Sequence, residues 1–304
     1  MNGRGGGIRT RDPLLPKQMR YQAALHPDSW YSNPLNLLIR RARREFAPPE
    51  MPRRPPALPW LEPGDPFPEP ATAWGENSDA PGLLAAGGEL NSETLLRAYS
   101  QGIFPWYSTG QPLLWWSTNP RMLLRTRAFR LHRSLRKVLR RFIQTPGCEI
   151  RVDSAFEAVI HACSSSLRHG QAGTWILPEM QDAYIALHRA GYAHSVETWQ
   201  DGEMIGGLYC VSMGRAVFGE SMFARRSDAS KIALAALVGL SLAQGVEWID
   251  CQQVTEHLAF MGAEPVEREA FAQALQSAQA QPGIRWDFQP LYWQALLSES
   301  GAVP

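Results

Sequence analysis

Three polar side chains lie where the surrounding pattern predicts a buried core. Glu220 follows the apolar run at residues 216–218, and Asp250 and Gln252 bracket a cysteine after the apolar run at 246–249. A buried carboxylate is costly unless it is paired, and one that faces a reacting group can accept its proton. Because residues two apart on a strand face the same side, we expect Asp250 and Gln252 to point into one space. The alternative is a structural polar cluster that fixes strand register.

No nucleophile with a partnering histidine is evident beside these groups. The four cysteines have neither CxxC spacing nor a nearby histidine pair, so we interpret them as reduced, packed residues of a cytosolic protein. The sequence shows no obvious Ser–His or Cys–His nucleophile pair. No apolar run approaches the length of a transmembrane helix, and the N-terminus lacks the apolar region of a signal peptide.

Positive charge is concentrated in two segments. The formal net charge is only +1, but residues 1–56 hold eleven Lys/Arg and four Asp/Glu, and residues 121–141 hold nine Lys/Arg and no acid. The rest of the chain therefore carries a net charge of −15. A local cationic stripe on an otherwise acidic protein indicates nucleic-acid binding better than the overall pI does.

Composition divides the chain into three parts. Residues 1–56 are rich in Gly, Pro and Arg, and we expect a disordered or non-native N-terminal extension. Met51 is an alternative start, which the intact mass of the protein from its own host would test. We predict a small N-terminal domain over residues 57–150 and a catalytic domain over 151–304. A chain of this length suits one or two domains with a real core.

A strongly basic helix is predicted over residues 129–142. Its apolar residues keep the spacing of one buried face. Six cations occupy the rest of its surface: Arg130, Arg133, Arg136, Lys137, Arg140 and Arg141. Because no acid occurs nearby, ion pairs within the helix cannot account for these charges. A solvated face is the ordinary alternative, but a phosphate partner is favoured.

The second half of the chain predicts the α+β fold class. Strands over 194–199, 204–212 and 216–218 form an antiparallel meander, and a helix over 232–242 and a strand over 246–250 follow. This order matches the half of an acetyltransferase-like (GNAT-like) fold that holds the cofactor cleft. We therefore predict an acetyltransferase-like C-terminal domain.

Eight short motifs occur in a fixed order along the chain. They are Gly102-Ile103-Phe104-Pro105-Trp106, Leu114-Trp115-Trp116-Ser117, Gly173-Thr174-Trp175-Ile176, His194-Ser195-Val196-Glu197, Gly206-Gly207-Leu208-Tyr209, Gly219-Glu220-Ser221-Met222-Phe223, Ala229-Ser230-Lys231 and Ile249-Asp250-Cys251-Gln252. No single motif is diagnostic, but the ordered set resembles the leucyl/phenylalanyl-tRNA–protein transferases of bacteria over residues 82–268.

The resemblance implies a bacterial cytoplasmic enzyme that acts on aminoacyl-tRNA. Such an enzyme moves Leu or Phe, and Met less well, from Leu-tRNA or Phe-tRNA to the N-terminal Arg or Lys of a protein. The product is marked for degradation through the N-degron pathway. The resemblance also implies a small N-terminal α/β domain followed by an acetyltransferase-like (GNAT-like) C-terminal domain, with no metal and no coenzyme A. We expect a monomer without membrane contact.

The resemblance also assigns roles to site residues. Asp250 and Gln252 match the pair proposed to activate the acceptor amine, and Glu220 matches a nearby catalytic or positioning carboxylate. An α-amine has a pKa near ~8 and needs only mild deprotonation. Because an amide is a poor base, we expect Gln252 to orient the amine and Asp250 to accept its proton, directly or through a water molecule. Glu220 can instead face the cationic acceptor side chain. The aromatic positions that hold the terminal adenosine and shape the site are matched by Tyr99, Trp106, Trp175 and Tyr184.

An apolar pocket for the transferred amino acid is expected as well. It would be built from Leu208, Val217, Phe218, Gly219, Leu237 and Ile249. One methylene is worth only ~1–3 kcal/mol in such a pocket, which favours a loose choice among Leu, Met and Phe. Where the family pattern has Met and Phe, this chain has Leu208 and Val217, so the relative preference stays open.

Two other functions compete with this interpretation. An acetyl-CoA-dependent acetyltransferase shares the half-fold, but its pyrophosphate loop usually needs glycines. The corresponding segment here, residues 225–229, has none, and calorimetry with coenzyme A would test this alternative. A non-catalytic tRNA-binding module would explain the cations and aromatics, but it would not need Glu220, Asp250 and Gln252. A protein that binds tRNA but transfers no amino acid would be such a module.

Overall fold

Eleven strands occur in the part of the chain that the structure describes. The computed structural model describes residues 57–165 and 176–299. The predicted extension over residues 1–56 and the candidate Trp175 lie outside these residues. The strands are β1 Trp60–Leu61, β2 Leu83–Gly87, β3 Phe104–Pro105, β4 Leu114–Trp116, β5 Arg121–Arg125, β6 Cys148–Val152, β7 Ala193–Gln200, β8 Glu203–Met213, β9 Ala216–Ala224, β10 Trp248–Asp250 and β11 Glu264–Val266.

Helices cover both faces of the larger of two sheets. They are α1 Ser92–Ser100, α2 Arg133–Gln144, α3 Phe156–Ser165, α4 Pro178–Arg189, α5 Ala229–Ala243, α6 Glu256–Phe260, α7 Arg268–Gln279 and α8 Tyr292–Glu299. The smaller sheet has the order β1-β2-β4-β3, and the larger one has the order β11-β5-β10-β9-β8-β7-β6. Strand β10 runs parallel to β9, whereas β7, β8 and β9 form the predicted antiparallel meander. The α+β fold class is therefore confirmed.

Alternation along the strands separates two apolar clusters. On β9, Phe218 belongs to the cluster that α1, α3, α4 and α7 cover, and Val217 belongs to the cluster that α2, α5 and α8 cover. On β10, Trp248 and Ile249 divide in the same way. Successive side chains of a strand point to opposite faces. We call the first side of the sheet the α4 face and the second the α5 face.

Local signals placed several helix starts correctly. The side chain of Asn91 accepts the backbone N–H of Thr94 at 2.8 Å and caps α1. Helix α4 begins at Pro178, where a missing N–H costs nothing. The basic helix begins only at Arg133, because a short 3₁₀ turn and an extended segment occupy residues 126–132. The start predicted at residue 129 is therefore wrong by one turn.

The boundary between two domains at residue 150 stays a prediction. The smaller sheet uses residues 60–116, which lie within the predicted N-terminal domain. Strand β5 and helix α2 precede residue 150, yet β5 pairs with β10 and β11 inside the larger sheet. None of the helices in the described part of the chain is long and apolar enough to cross a membrane.

A buried glutamate, Glu197, holds the start of α3 against β7. Glu197 is fully buried, and its carboxylate accepts the backbone N–H groups of Ser154 and Ala155, each at 3.1 Å. The hydroxyl of Ser195 and the indole N–H of Trp199 donate to the same carboxylate at 2.6 and 3.3 Å. Such a charge is stable only because donors surround it.

Replacing Glu197 by Gln should lower the free energy of unfolding by roughly 2–4 kcal/mol, because the oxygen that accepts from the Ser154 hydroxyl and the Trp199 indole is replaced by an amide group that only donates. Urea unfolding followed by circular dichroism measures this change. Glu203→Gln is the matched control, since Glu203 is an exposed glutamate paired with Arg226 and should change stability by less than about 1 kcal/mol. Similar losses in both variants would contradict a special role for Glu197.

Candidate active site

Glu220 occupies a β-bulge on β9. On β8, Tyr209 pairs with Ser221 while Cys210 pairs with Gly219, so Glu220 is the extra residue between two paired positions. A bulge changes the direction of a side chain relative to strict alternation. Glu220 is half-buried, and its side chain lies on the α4 face. The sequence placed this residue after a strand, whereas the strand continues four residues beyond it.

Hydrogen bonds orient both oxygens of the Glu220 carboxylate. The hydroxyl of Tyr184 donates to Oε2 at 3.2 Å, and Nε2 of Gln252 donates to Oε1 at 3.2 Å. The hydroxyl oxygens of Tyr99 and Tyr184 are 2.5 Å apart. Because the hydroxyl proton of Tyr184 is donated to Glu220, the Tyr99 hydroxyl must donate its proton to the Tyr184 oxygen. Each carboxylate oxygen keeps a second lone pair for a substrate proton.

Burial raises the pKa of Glu220 to about 7. The nearby Tyr99 hydroxyl lowers this pKa, the negative charge of Asp250 raises it, and the hydrogen bond from Tyr184 lowers it again. Burial and the charge of Glu220 raise the pKa values of Tyr99 and Tyr184 well above their usual range, so both phenols stay protonated donors. A carboxylate with a pKa near the working pH is well suited to act as a general base.

Asp250 is fully buried in an ion pair with Arg121. Nε of Arg121 donates to Oδ1 at 2.9 Å, and Nη2 donates to Oδ2 at 2.6 Å. Oδ1 also accepts the backbone N–H of Gln252 at 2.9 Å. Because neither side chain is more than 1% exposed, a substrate amine has no approach to Asp250. Direct transfer of the proton to Asp250 therefore does not fit this geometry, which favours a positioning role for Asp250.

Arg121 is a site residue that the sequence reasoning missed. Nη1 donates to the backbone carbonyl of Gly102 at 3.0 Å, and the guanidinium lies 4.8 Å from the ring of Phe104 and 4.6 Å from that of Phe271. The sequence counted Arg121 among the phosphate-seeking cations of residues 121–141. A signal was available, since Arg121 opens an apolar strand, where a cation needs a buried partner.

Gln252 does not lie on the strand that carries Asp250. Strand β10 ends at Asp250, and Gln252 has a left-handed φ of 56°. The expectation that the two side chains share one strand face is therefore wrong. They are joined instead by the Gln252 backbone N–H, while the Gln252 carbonyl accepts the hydroxyl of Thr118 at 2.8 Å. These backbone contacts hold Gln252 so that its side-chain amide points toward Glu220.

The predicted aromatic binding positions differ in accessibility. Tyr99 and Tyr184 are 0% exposed, so neither offers a face to the terminal adenosine in this structure. They shape the site through Glu220 instead. Trp106 is partly exposed, and its ring centroid is 5.4 Å from that of Trp116. Among the candidates in the described ranges, Trp106 is the one with surface for a base.

The residues predicted for the amino-acid pocket are closely packed. Four of them lie together in the cluster on the α5 face, where α5 covers the sheet: Leu208, Val217, Leu237 and Ile249. Phe218 points to the α4 face, 4.9 Å from the ring of Tyr99, so it does not share a wall with these four. The five apolar side chains are at most 3% exposed. Gly219 adjoins Ile249 and Glu220, and the pocket itself stays a prediction.

The arrangement supports proton transfer at Glu220 without a protein nucleophile. A half-buried carboxylate has two oriented donors, and the buried pair of Arg121 and Asp250 holds the turn that carries one of them. Within residues 57–165 and 176–299, no group of three or more His, Cys, Asp or Glu side chains is arranged to hold a metal ion.

Comparison with known proteins identifies the family. The model of the leucyl/phenylalanyl-tRNA protein transferase matches residues 123–276, and the model of the N-terminal domain of the same transferase matches residues 88–119. The chain belongs to the leucyl/phenylalanyl-tRNA–protein transferase family. It is therefore a transferase enzyme, as the ordered motifs predicted.

Similar proteins from other bacteria carry the same name. The leucyl/phenylalanyl-tRNA–protein transferase of Albidiferax ferrireducens is 64% identical over 226 residues, which cover 74% of this chain and 89% of that protein. The transferase of Polaromonas sp. is 58% identical over 233 residues, or 76% of this chain and 91% of that protein. The transferase of Ralstonia pickettii is 57% identical over 217 residues, or 71% and 88%.

A solved structure of another class also matches part of the chain. It is a GCN5-related N-acetyltransferase from Kribbella flavida, with 10% identity, a TM-score of 0.28, and coverage of 56% of this chain and 59% of that chain. The likeness is too weak to support a functional conclusion.

In this member of the family, the basic helix α2 presents its charges outward. Leu135, Leu139 and Phe142 bury one side of the helix. Five of the six predicted phosphate-binding cations are exposed and make no ion pair within the described residues: Arg130, Arg133, Lys137, Arg140 and Arg141. The sixth, Arg136, is half-buried and donates to the backbone carbonyl of Leu297 at 3.3 Å.

Proposed function

We propose that this enzyme transfers a leucyl or phenylalanyl group, and a methionyl group less well, from aminoacyl-tRNA to the N-terminal Arg or Lys of a protein. The acceptor is thereby marked for N-degron degradation in the cytoplasm. The observation that carries the proposal is Glu220, a half-buried carboxylate whose pKa is raised to about 7 and whose oxygens are oriented by Tyr184 and Gln252.

Glu220 acts as the general base in the proposed reaction. The nitrogen of the acceptor α-amine attacks the carbonyl carbon of the aminoacyl ester, and a C–N bond forms. Glu220 takes a proton from that nitrogen, the C–O bond to the tRNA ribose breaks, and the ribose oxygen receives a proton. The pKa of the amine is ~8, so a base whose pKa is about 7 is well matched to it. The negative charge of ionised Glu220 also favours a cationic first residue.

Transfer of radiolabelled leucine from Leu-tRNA to two peptides tests the function. The peptides differ only in their first residue, Arg or Ala, and we expect label on the Arg peptide alone. Equal labelling of both peptides would contradict the acceptor rule. Retained tRNA binding without transfer to either peptide would instead support a non-catalytic binding module.

The basic helix should bind tRNA phosphates without sequence preference. Replacing Lys137, Arg140 and Arg141 together by Gln should weaken tRNA binding and lower the slope of log Kd against log salt by about 0.9 for each phosphate that the protein no longer neutralises. Fluorescence anisotropy at several salt concentrations measures both quantities. The control is Arg189→Gln, because Arg189 is an exposed cation of α4 paired with Glu157. A slope equal to that of the wild type would exclude phosphate binding by these three cations.

A further inference from the structure

Two stacked rings, His132 and Phe260, form an exposed flat surface beside the basic helix. Their centroids are 3.9 Å apart and their planes differ by 16°. Phe260 is 59% exposed, the highest value among the large apolar side chains of the described residues. Single exposed apolar residues are common on protein surfaces. Phe260 differs from them because its ring is held against a second ring.

Backbone contacts fix the position of this ring pair. The His132 ring nitrogen Nε2 donates to the carbonyl of Phe260 at 2.8 Å, and the backbone N–H of Arg130 donates to the carbonyl of Met261 at 2.9 Å. Gly262 has a φ of +100°, and a Cβ there would lie 2.3 Å from the carbonyl oxygen of Ala128. The turn after α6 is thus closed tightly against the segment before α2. The rings therefore need little ordering to bind a ligand.

The ring pair lies close along the chain to both the candidate active site and the basic helix. Helix α6 begins four residues after Gln252 and ends at Phe260, so only eight positions separate Gln252 from the ring of Phe260. His132 directly precedes Arg133, the first residue of α2. The cations Arg127 and Arg130, like Arg133, are exposed at this corner of the molecule.

We propose that His132 and Phe260 form a stacking platform for an unpaired nucleobase next to the 3′ end of the tRNA. This role rests on the proposed function, in which the single-stranded end must run from the phosphates bound at α2 to the ester at Glu220. Unpaired bases stack on exposed aromatic rings regardless of base identity. The surrounding cations attract the phosphates of a nucleic acid and repel an acceptor protein that begins with Arg or Lys.

Binding of tRNA to Phe260→Ala tests the platform. We expect affinity to fall roughly 5- to 150-fold, the equivalent of about 1–3 kcal/mol for one stacked base, with an unchanged salt slope. Arg133→Gln should instead lower the slope by about 0.9. Phe260→Tyr, which keeps the ring, should bind like the wild type. Trp60→Ala is the matched control, because Trp60 is an exposed aromatic residue of the smaller sheet.

A modified tRNA separates stacking from a folding defect. In the wild type, removing the base from one of the unpaired 3′ nucleotides should cause the same loss as Phe260→Ala. The variant and the abasic tRNA combined should cause no further loss. Additive losses at every unpaired position, or full affinity of Phe260→Ala, would overturn the platform.

Transfer activity provides an independent readout. An aminoacyl-adenosine substrate lacks the preceding nucleotides, so Phe260→Ala should use it at the wild-type rate. An equal loss with this substrate and with Leu-tRNA would mean that Phe260 acts on the chemical step and would contradict the platform. Failure of the wild type to transfer leucine would refute the proposed function alone, because the binding experiments use uncharged tRNA.

Discussion

Glu220→Gln is expected to lower kcat for leucyl transfer by about 10²- to 10⁴-fold, the usual contribution of a general base. The KM for Leu-tRNA should change by less than about threefold, because Gln keeps the size of the side chain and tRNA phosphates dominate binding. Steady-state transfer to the Arg peptide measures both constants. Glu203→Gln, at an exposed position on β8, should behave like the wild type. A Glu220→Gln enzyme with normal kcat would eliminate Glu220 as the base.

The pH dependence of the same variant gives a second test. Burial raises the pKa of Glu220 to about 7, so kcat/KM of the wild type should rise as pH increases through 7 and Glu220 loses its proton. The variant should lack this inflection and keep the one near ~8 from the acceptor amine. If the pH profile of Glu220→Gln kept an inflection near pH 7, that inflection would belong to another group.

The free energy of unfolding should fall as pH rises, whereas kcat/KM should increase. The pKa of Glu220 is higher in the folded state than the ~4.3 of an unfolded glutamate. The stability that protonated Glu220 contributes is therefore fully present below pH ~4.3 and is lost as pH rises through 7. Glu220→Gln cannot ionise and should therefore lose less stability than the wild type between pH 5 and 8. Urea unfolding at the two pH values measures the difference.

Arg121→Met is expected to destabilise the fold by about 3–5 kcal/mol, because it leaves the carboxylate of Asp250 buried without a counter-ion. Asp250→Asn should also destabilise, and the double variant should lose less than the sum of the two single losses, which marks direct coupling. Urea unfolding of the wild type, the two single variants and the double variant gives this double-mutant cycle. Arg121→Lys should recover only part of the loss, since an ammonium cannot form two parallel bonds to a carboxylate.

The same strand offers the matched control for Arg121. Arg125 pairs with Glu264 at 2.6 Å, but both side chains are about half exposed. Arg125→Met should therefore cost less than about 1 kcal/mol. Equal effects at Arg121 and Arg125 would show that burial of the ion pair with Asp250 does not matter for stability.

Local signals in the sequence were sufficient for most elements. The cap at Asn91, the start at Pro178 and the meander of β7, β8 and β9 follow from side-chain hydrogen bonds, fixed φ angles and alternation, which act between near neighbours. The start of the basic helix was misplaced because the apolar spacing continues through residues 129–132, where the chain turns against the end of α6.

The site was only partly predictable. Glu220, Asp250 and Gln252 were singled out because polar residues in an apolar context are costly. Their division of roles stays a prediction, and the geometry favours Glu220 over Asp250 as the group that accepts the proton. Asp250 was expected to accept the proton, but its carboxylate is enclosed by Arg121, which lies 129 residues away in the chain. No local pattern indicates a partner at that separation.

The sequence by itself determined the fold class, the order of the elements, the family and the residue types that can carry the reaction. Only the tertiary structure decided that Arg121 neutralises Asp250, that a bulge opposite β8 turns Glu220 toward Tyr184, and that Phe260 meets His132. The reason is physical: burial, and the charges and donors around a group, set its pKa and reactivity. These surroundings arise from strands and turns that are distant in sequence and adjacent only after folding.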